Sequence, residues 1–101
     1  MRSIKQGVNQ EVTLNVSFDP TLLTALELSF QQQGSVVLTK RLADCTVEDN
    51  AISVELTQYD TLKISPQRVS VTLRGKYADG GTVIARDIPF VVERSPFTGA
   101  I

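Results

Sequence analysis

Residues 67–93 have the sequence QRVSVTLRGKYADGGTVIARDIPFVVE, the most regular alternation of apolar and polar side chains in the chain. The alternating apolar residues are Val69, Val71, Leu73 and Tyr77 before the glycines, and Val83, Ala85, Ile88, Phe90 and Val92 after them. Two such runs separated by a glycine-containing turn are typical of a half-buried β-hairpin. The pattern therefore predicts two long strands joined at residues 79–81.

The turn chemistry predicts a register for this hairpin. If residues 79–81 form a three-residue loop, Gly81 supplies the positive φ that such loops need at their third position. This loop places Ala78 opposite Thr82, Tyr77 opposite Val83 and Gly75 opposite Ala85. Beyond Ala85 the apolar phase slips by one residue, so we predict a β-bulge within residues 85–87. The bulge sets Ile88 beside Leu73, Phe90 beside Val71 and Val92 beside Val69.

Five further segments are predicted to be strands. They are residues 2–6, residues 10–18, residues 25–31, Ser35–Arg41 and Ala51–Leu56. Residues 32–34 again end in a glycine, and a three-residue loop there places Phe30 opposite Val36 and Leu28 opposite Leu38.

The segments between the strands predict only short helical turns and loops. Residues 21–24 form a short crossing, and residues 43–50 form a polar loop rich in turn residues. Thr57 and Asp60 have the spacing of a capping box, with Asp in place of Glu, so residues 57–62 are predicted to form one helical turn. Leu56 and Leu62 would then close one end of the fold.

Seven strands with frequent turn signals are typical of an all-β fold, an immunoglobulin-like antiparallel β-sandwich. A small β-barrel is the alternative. We expect residues 1–94 to form a single β-sandwich domain and residues 95–101, which follow no period, to form a C-terminal tail. The predicted core between the two sheets consists of Val12, Leu14, Val16, Leu28, Phe30, Val54, Leu56, Val71, Leu73, Phe90 and Val92.

Composition narrows the functional classes. The chain has 101 residues, of which 10 are basic and 11 acidic, with a net charge of −1. Nucleic-acid binding normally shows a net positive face, so that class is disfavoured. Cys45 is the only cysteine, which excludes an intramolecular disulfide and suits a reducing cytoplasm. No apolar run reaches transmembrane length, and residues 1–5 lack the apolar core of a secretory signal.

Candidate catalytic and metal-binding residues are few. The chain has no histidine, which removes the usual general base and the commonest metal ligand, so Cys45 fits a structural position. The carboxylates that could act alone are scattered over turns at Asp44, Glu48, Asp49, Asp60, Asp79 and Asp87. The group of Asp44, Glu48, Asp49 and Asn50 lacks the alternation of a calcium loop, and Gly80-Gly81 lacks the lysine of a phosphate loop. We therefore expect no catalytic, cofactor-binding or metal-binding residues, and no cofactor.

A group of basic residues is predicted on the outer face of the long hairpin. Arg74, Lys76 and Arg86 share this face, with Arg68 farther along it. Aromatic residues do not interleave with them, so a base-stacking platform is not indicated. Two interpretations stay open. The group is either a solvated face whose charges discourage strand-edge pairing, or a docking patch for an acidic protein surface.

Several short strings carry a resemblance that covers nearly the whole chain. They are Ile4-Lys5-Gln6-Gly7, Phe18-Asp19 with Leu22, Val36-Val37-Leu38-Thr39-Lys40, Asp44-Cys45-Thr46, Leu56-Thr57-Gln58-Tyr59-Asp60-Thr61-Leu62 and Gly99-Ala100-Ile101. With these strings in this order, the chain resembles small proteins of similar length that are encoded in phages and prophages of Gram-positive bacteria. The resemblance implies a virion part associated with the tail or baseplate. The sandwich is similar to the upper-baseplate domains of such phages in fold alone, and no functional residues transfer.

From this resemblance we expect a non-catalytic structural or assembly protein of a phage or prophage. Its partners would be other phage structural proteins, or a second copy through a strand edge, and not nucleic acid, membrane or a small-molecule substrate. Its location would be the host cytoplasm during assembly and then the virion. We expect the tail, which carries Phe97 and Ile101, either to fold back or to take part in the contact. The alternative is a carbohydrate-binding or adhesion module, which needs exposed aromatic rings; the chain has no Trp, and of its tyrosines, Tyr59 and Tyr77, the second is predicted to point inward.

Overall fold

The computed structural model describes residues 2–94, with side chains from residue 3 onward, and these residues form two packed β-sheets. The strands are β1 (Arg2–Lys5), β2 (Gln10–Asn15), β3 (Leu23–Gln32), β4 (Ser35–Arg41), β5 (Cys45–Glu48), β6 (Ala51–Leu56), β7 (Arg68–Tyr77) and β8 (Thr82–Glu93). One sheet has the order β1-β8-β7-β3-β4, and the other has the order β2-β6-β5. Each sheet has one apolar face, so the two faces pack together and bury a single core.

The strand order is that of an immunoglobulin-like sandwich. β2, β6 and β5 follow the order of strands B, E and D, while β8, β7 and β3 follow that of strands G, F and C. β4 extends the larger sheet beside β3, and β1 pairs in parallel with β8 at its other edge. The predicted all-β sandwich is confirmed, with eight strands within residues 2–94 where the sequence predicted seven.

The loop of the β7–β8 hairpin lies one residue earlier than predicted. The Tyr77 N–H donates to the Gly81 carbonyl over 2.8 Å, so residues 78–80 form the loop. Gly80, at φ +91°, occupies the left-handed position that was predicted for Gly81. Two adjacent glycines meet this backbone requirement equally well, so the sequence alone does not choose between them. In the structure, the Asp79 carboxylate accepts the Gly81 N–H over 2.8 Å and stabilises the earlier loop.

The pairing of β7 with β8 is correspondingly offset by two residues. Gly75 lies opposite Val83, Leu73 opposite Ala85, Val71 opposite Ile88 and Val69 opposite Phe90, so the predicted partners of these residues are wrong. Because side chains alternate with a period of two, the offset leaves each side chain on its predicted face. The predicted bulge is confirmed: the register shifts at Arg86 and Asp87, and Asp87 has φ +54°.

The β3–β4 hairpin has a shorter turn than predicted. Gln33 and Gly34, at φ +52° and +79°, form a two-residue turn of the type whose twist suits a hairpin. Gln32 stays in the strand because its side chain is buried and bonds both backbone groups of Ser65, at 3.0 Å to the N–H and 2.9 Å to the carbonyl. The predicted loop of residues 32–34 is therefore wrong.

This turn also changes the partners of β3. After a bulge, Phe30 lies opposite Leu38 and Leu28 opposite Lys40. The predicted pairs, Phe30 with Val36 and Leu28 with Leu38, are wrong. Val36 is 54% exposed as a result, while Leu38 takes its place in the core.

Residues 43–50 contain a strand that the sequence did not predict. After a 3₁₀ turn at Leu42–Asp44, β5 alternates half-buried Cys45 and Val47 with exposed Thr46 and Glu48. Its turn to β6 ends at Asn50, which has φ +55°. The predicted loop is wrong because a four-residue edge strand carries only two apolar residues, too few for a recognisable period.

The helical turn predicted after β6 is confirmed as α1 (Gln58–Leu62). The Thr57 hydroxyl accepts the Asp60 N–H at 3.2 Å, and the Asp60 carboxylate accepts the Thr57 N–H at 3.0 Å, which is a complete capping box. Leu56 is fully buried as predicted, but Leu62 is only half-buried, and Ile64 closes this end of the core. The earlier crossing also contains a helical turn, Pro20–Leu22, capped by Asp19.

The predicted core is confirmed except at Val16, which lies beyond the end of β2 and is half-buried against the other residues. The core gains Ile4, Leu23, Leu26, Leu38, Ile52, Ile64 and Val69. β1 matches its prediction closely, whereas β2 ends at Asn15 rather than at residue 18. The predicted tail, residues 95–101, lies outside the described residues. Within residues 2–94, no helix has the length and apolar character needed to cross a membrane.

Candidate functional site on the outer faces of the sandwich

The outer surface of the larger sheet carries a cluster of cationic side chains, Arg41, Arg74, Lys76 and Arg86, around Ile84; we call it the basic face. On β7 these positions alternate with buried residues, so their side chains point away from the core. All four cationic side chains are exposed. The predicted grouping of Arg74, Lys76 and Arg86 is thus present, and Arg68 lies at the far end of β7.

Glu27 on β3 organises two of these cations. One carboxylate oxygen lies 2.9 Å from Arg41 Nη1, and the other lies 3.0 Å from Arg74 Nη2 and 3.1 Å from Arg74 Nε. The two arginine side chains remain 69% and 68% exposed. Exposed pairs of this kind add little stability, so their main effect is to bias both guanidinium groups towards Glu27, with donors still free to face a partner.

Ile84 gives the basic face an apolar centre. It lies directly opposite Arg74 in the β7–β8 pairing and is 56% exposed. Beside it, the sheet forms a concavity of about 370 Å³ whose wall includes Glu27, Arg41, Lys76 and Val83. An exposed aliphatic side chain ringed by oriented cations can contact a protein surface that offers carboxylates around a flat centre.

The smaller sheet has the opposite charge on its outer surface. Glu11 on β2, Glu48 on β5 and Glu55 on β6 are all exposed there, and we call them the acidic face. Glu11 lies directly opposite Glu55, an arrangement that destabilises an antiparallel pair. Thr13 and Ser53, whose hydroxyls are 3.0 Å apart, fill the next position. The outward positions of these three strands contain no cation.

Asp60 belongs to a structural ion pair between the larger sheet and α1. Its carboxylate lies 2.8 Å from the Lys40 ammonium, and the two side chains are only 13% and 16% exposed. Partial burial alone would raise the pKa of Asp60, but the hydrogen bonds from Lys40 and Thr57 outweigh it and hold that pKa below its usual value. The pair ties edge strand β4 to α1.

The other acidic residues that the sequence singled out also have structural positions. Asp44 accepts the Arg41 N–H at 3.0 Å, and Asp79 and Asp87 lie in the turn and the bulge of the long hairpin. Asp44 directly precedes β5 and Glu48 is its last residue, about 13 Å away along the strand, so the structure does not bring them together as a calcium site. Within the described residues, no group of three or more His, Cys, Asp or Glu could hold a metal ion.

Cys45 is half-buried at the start of β5. Its thiol donates to the Arg41 carbonyl over 3.3 Å. Burial, helped by the nearby Asp44 carboxylate, raises the pKa of the thiol. Because the thiolate is the reactive form, this environment disfavours nucleophilic chemistry.

Two edges of the larger sheet are protected. On β1, the Gln10 side chain accepts the Lys5 N–H at 2.8 Å and donates to the Ser3 carbonyl at 2.9 Å, as a neighbouring strand would. On β4, Lys40 points inward, a common device against edge pairing. In the described part of the smaller sheet, β2 and β5 form the other two edges.

Sequence reasoning grouped Arg74, Lys76 and Arg86 but did not identify the rest of the basic face or the acidic face. Glu27, Arg41, Glu11 and Glu55 each stand at an outward position of a predicted strand, and that alternation was the available signal. Which residues become their neighbours on the surface depends on which strands pair. The alternation along each strand does not specify that pairing. Of the two tyrosines, Tyr59 is 64% exposed on α1, while Tyr77 packs against the core.

Comparisons of this chain with protein-family models, curated proteins and solved structures found no match.

Proposed function

We propose that this protein is a non-catalytic structural or assembly protein of a phage or prophage, and a component of its tail or baseplate. The observation that carries the proposal is the set of strings that resembles small phage and prophage proteins along nearly the whole chain. The proposed partners are other structural proteins of the particle or further copies of this chain. Its proposed location is the host cytoplasm during assembly and then the virion.

The positions of these strings support a structural role. Thr61, from the most recognisable string, is fully buried, accepts the Gly7 N–H at 2.9 Å and lies 3.0 Å from the Val8 carbonyl. The Gln6 side chain donates to the Ile64 carbonyl at 3.1 Å. The first string is thus bonded to the segment that contains α1, as expected if the shared residues maintain a fold.

The charged outer faces support a role in assembly. They lie on paired strands of the sandwich, are exposed, and include two arginines that pair with Glu27. Such preformed surfaces lose little conformational entropy on docking. The alternative function, a carbohydrate-binding module, has only Tyr59 as an exposed tyrosine among the described residues, and glycan binding abolished by Tyr59→Ala would favour it.

Deleting the gene from an inducible prophage tests the proposal. We expect electron microscopy to show particles with absent or incomplete tails, and we expect infectivity to return when the wild-type gene is supplied in trans. A variant that lacks residues 96–101, supplied in the same way, tests whether the tail takes part. Particles of normal yield, shape and infectivity after complete deletion would overturn the proposal.

A further inference from the structure

We propose that copies of this chain associate head to tail, with the basic face of one copy on the acidic face of the next. The proposal deepens the assembly role by naming a second copy of this chain as a partner. It rests on the proposed function for its biological setting alone, because self-association in solution can be measured without a virion.

The two outer faces have complementary charges. The basic face carries four cations, Arg41, Arg74, Lys76 and Arg86, against the carboxylates of Glu27 and of Asp87 in the adjoining bulge. The acidic face carries three glutamates and no cation at the outward positions of its described strands. The whole chain is almost neutral, with 10 basic and 11 acidic residues, so the separation by face does not follow from composition.

The Glu11–Glu55 pair places two like charges side by side on the acidic face. Directly opposed residues on neighbouring antiparallel strands have Cβ atoms about 5 Å apart, and like charges at that distance repel. Neither glutamate has an ion-pair partner among the described side chains. A neighbouring copy that presents Lys76 and Arg86 would convert this repulsion into attraction.

The shapes of the two faces are compatible. Thr13, Ser53 and Thr46 are small side chains at the outward positions of this sheet, so Ile84 can approach them without a large side chain in the way. The contact joins two different surfaces on opposite sides of the sandwich, so it leaves one face free at each end and extends into a stack. A reciprocal dimer would instead bury the same face of both copies.

The contact is expected to be weak for an isolated pair. Three strands that are about 4.8 Å apart and at most about 20 Å long offer much less than the roughly 800 Å² per partner of a standard interface. We expect a dissociation constant on the order of 0.1–1 mM at low salt. Within a particle, attachment to the same scaffold would raise the effective concentration of neighbouring copies.

Sedimentation equilibrium of the purified chain tests the proposal. The average mass should rise above the 11.1 kDa monomer and exceed that of a dimer as the concentration approaches the expected dissociation constant at low salt. It should return to the monomer value at about 1 M salt, where the screening length is only about 3 Å. A monomer at every concentration and salt would overturn the proposal.

Two charge-reversal variants make the test specific. Glu11→Lys with Glu55→Lys makes both faces basic, and Lys76→Glu with Arg86→Glu makes both acidic. Each variant should be monomeric alone, and an equal mixture of the two should associate again. Lys63→Glu with Arg94→Glu carries the same net charge as the second variant, but away from both faces, and should associate as the wild type does. Circular dichroism checks that every variant is folded.

Other outcomes contradict head-to-tail docking. Association that survives both reversals, or a mixture that stays monomeric, would exclude this contact. A monomeric wild type whose incorporation into particles is lost with Lys76→Glu and Arg86→Glu would assign the basic face to an acidic partner protein. That result would overturn self-docking and leave the virion role intact. Conversely, a protein that stacks in solution but is absent from particles would support self-docking and overturn the virion role.

Discussion

Gly75 shows how the absence of one side chain determines packing between strands. It lies on the inner face of β7, where a Cβ atom would be 2.9 Å and 3.1 Å from the two methyl groups of Leu23. The Ala25 carbonyl oxygen would be 3.3 Å away. Leu23 is 7% exposed and belongs to the core, so it has little room to move.

Gly75→Ala should therefore lower the free energy of unfolding by about 1–3 kcal/mol, the usual cost of overpacking a core. Urea denaturation measures the change. Gly81→Ala is a milder comparison, because its new Cβ would meet chiefly the Asp79 side chain, at 3.1 Å, and at most disturbs that side chain's hydrogen bond with the Gly81 N–H. Equal stability of Gly75→Ala and the wild type would show that Leu23 is not held against this strand.

Asp60 is a second single residue that affects the stability of the fold, in this case through its charge. Its low pKa in the folded state means that the folded protein binds fewer protons than the unfolded chain in acid. The stabilisation is therefore fully present above about pH 4, near the pKa of an unfolded Asp, and is lost as the pH falls through the folded-state pKa.

Asp60→Asn should reduce this dependence on pH. The variant should be less stable than the wild type at pH 7, and it should lose less stability between about pH 5 and pH 3 because no carboxylate remains to be protonated. Lys40→Met should weaken the pH dependence in the same way, since Lys40 donates the hydrogen bond that lowers the pKa. Urea unfolding curves across this range give the measurement. An unchanged acid dependence in Asp60→Asn would contradict the role assigned to the ion pair.

At the scale of the strands, alternation predicted far more than turn placement did. The inward residues of β2, β3, β6, β7 and β8 follow from a period of two, and the bulge follows from the slip in that period. The two long hairpins nevertheless have registers that differ from the predictions. Gly80 and Gly81 are interchangeable locally, and Gln32 is kept in its strand by Ser65, a partner 33 residues away. Local sequence does not contain that information.

The inward and outward positions of these strands make opposite predictions for truncation. Val71→Ala should cost more than about 1 kcal/mol and Phe90→Ala about 3–5 kcal/mol, because both are buried in the core. Val91→Ala, one residue along β8 on the 39% exposed outer side, should cost much less. Denaturant titration of the three variants checks the order, and a Val71→Ala cost no larger than that of Val91→Ala would contradict the facing of this sheet.

For the whole molecule, the sandwich was predictable and its charged faces were predictable only in part. Arg74, Lys76 and Arg86 could be grouped because they lie on one hairpin. Arg41 and Glu27 join them only because β4 and β3 pair next to β7, and Glu11 meets Glu55 only because β2 pairs with β6. A surface made by several strands depends on the pairing order, which is a property of the complete fold.

The presence of the protein in virions tests the central proposal most directly. After prophage induction, particles and assembly intermediates would be purified and their proteins quantified by mass spectrometry. We expect this protein to co-purify with particles in a fixed ratio to known tail proteins and to disappear from preparations of a deletion strain. Its absence from both particles and assembly intermediates, despite expression in the induced cells, would contradict a structural role.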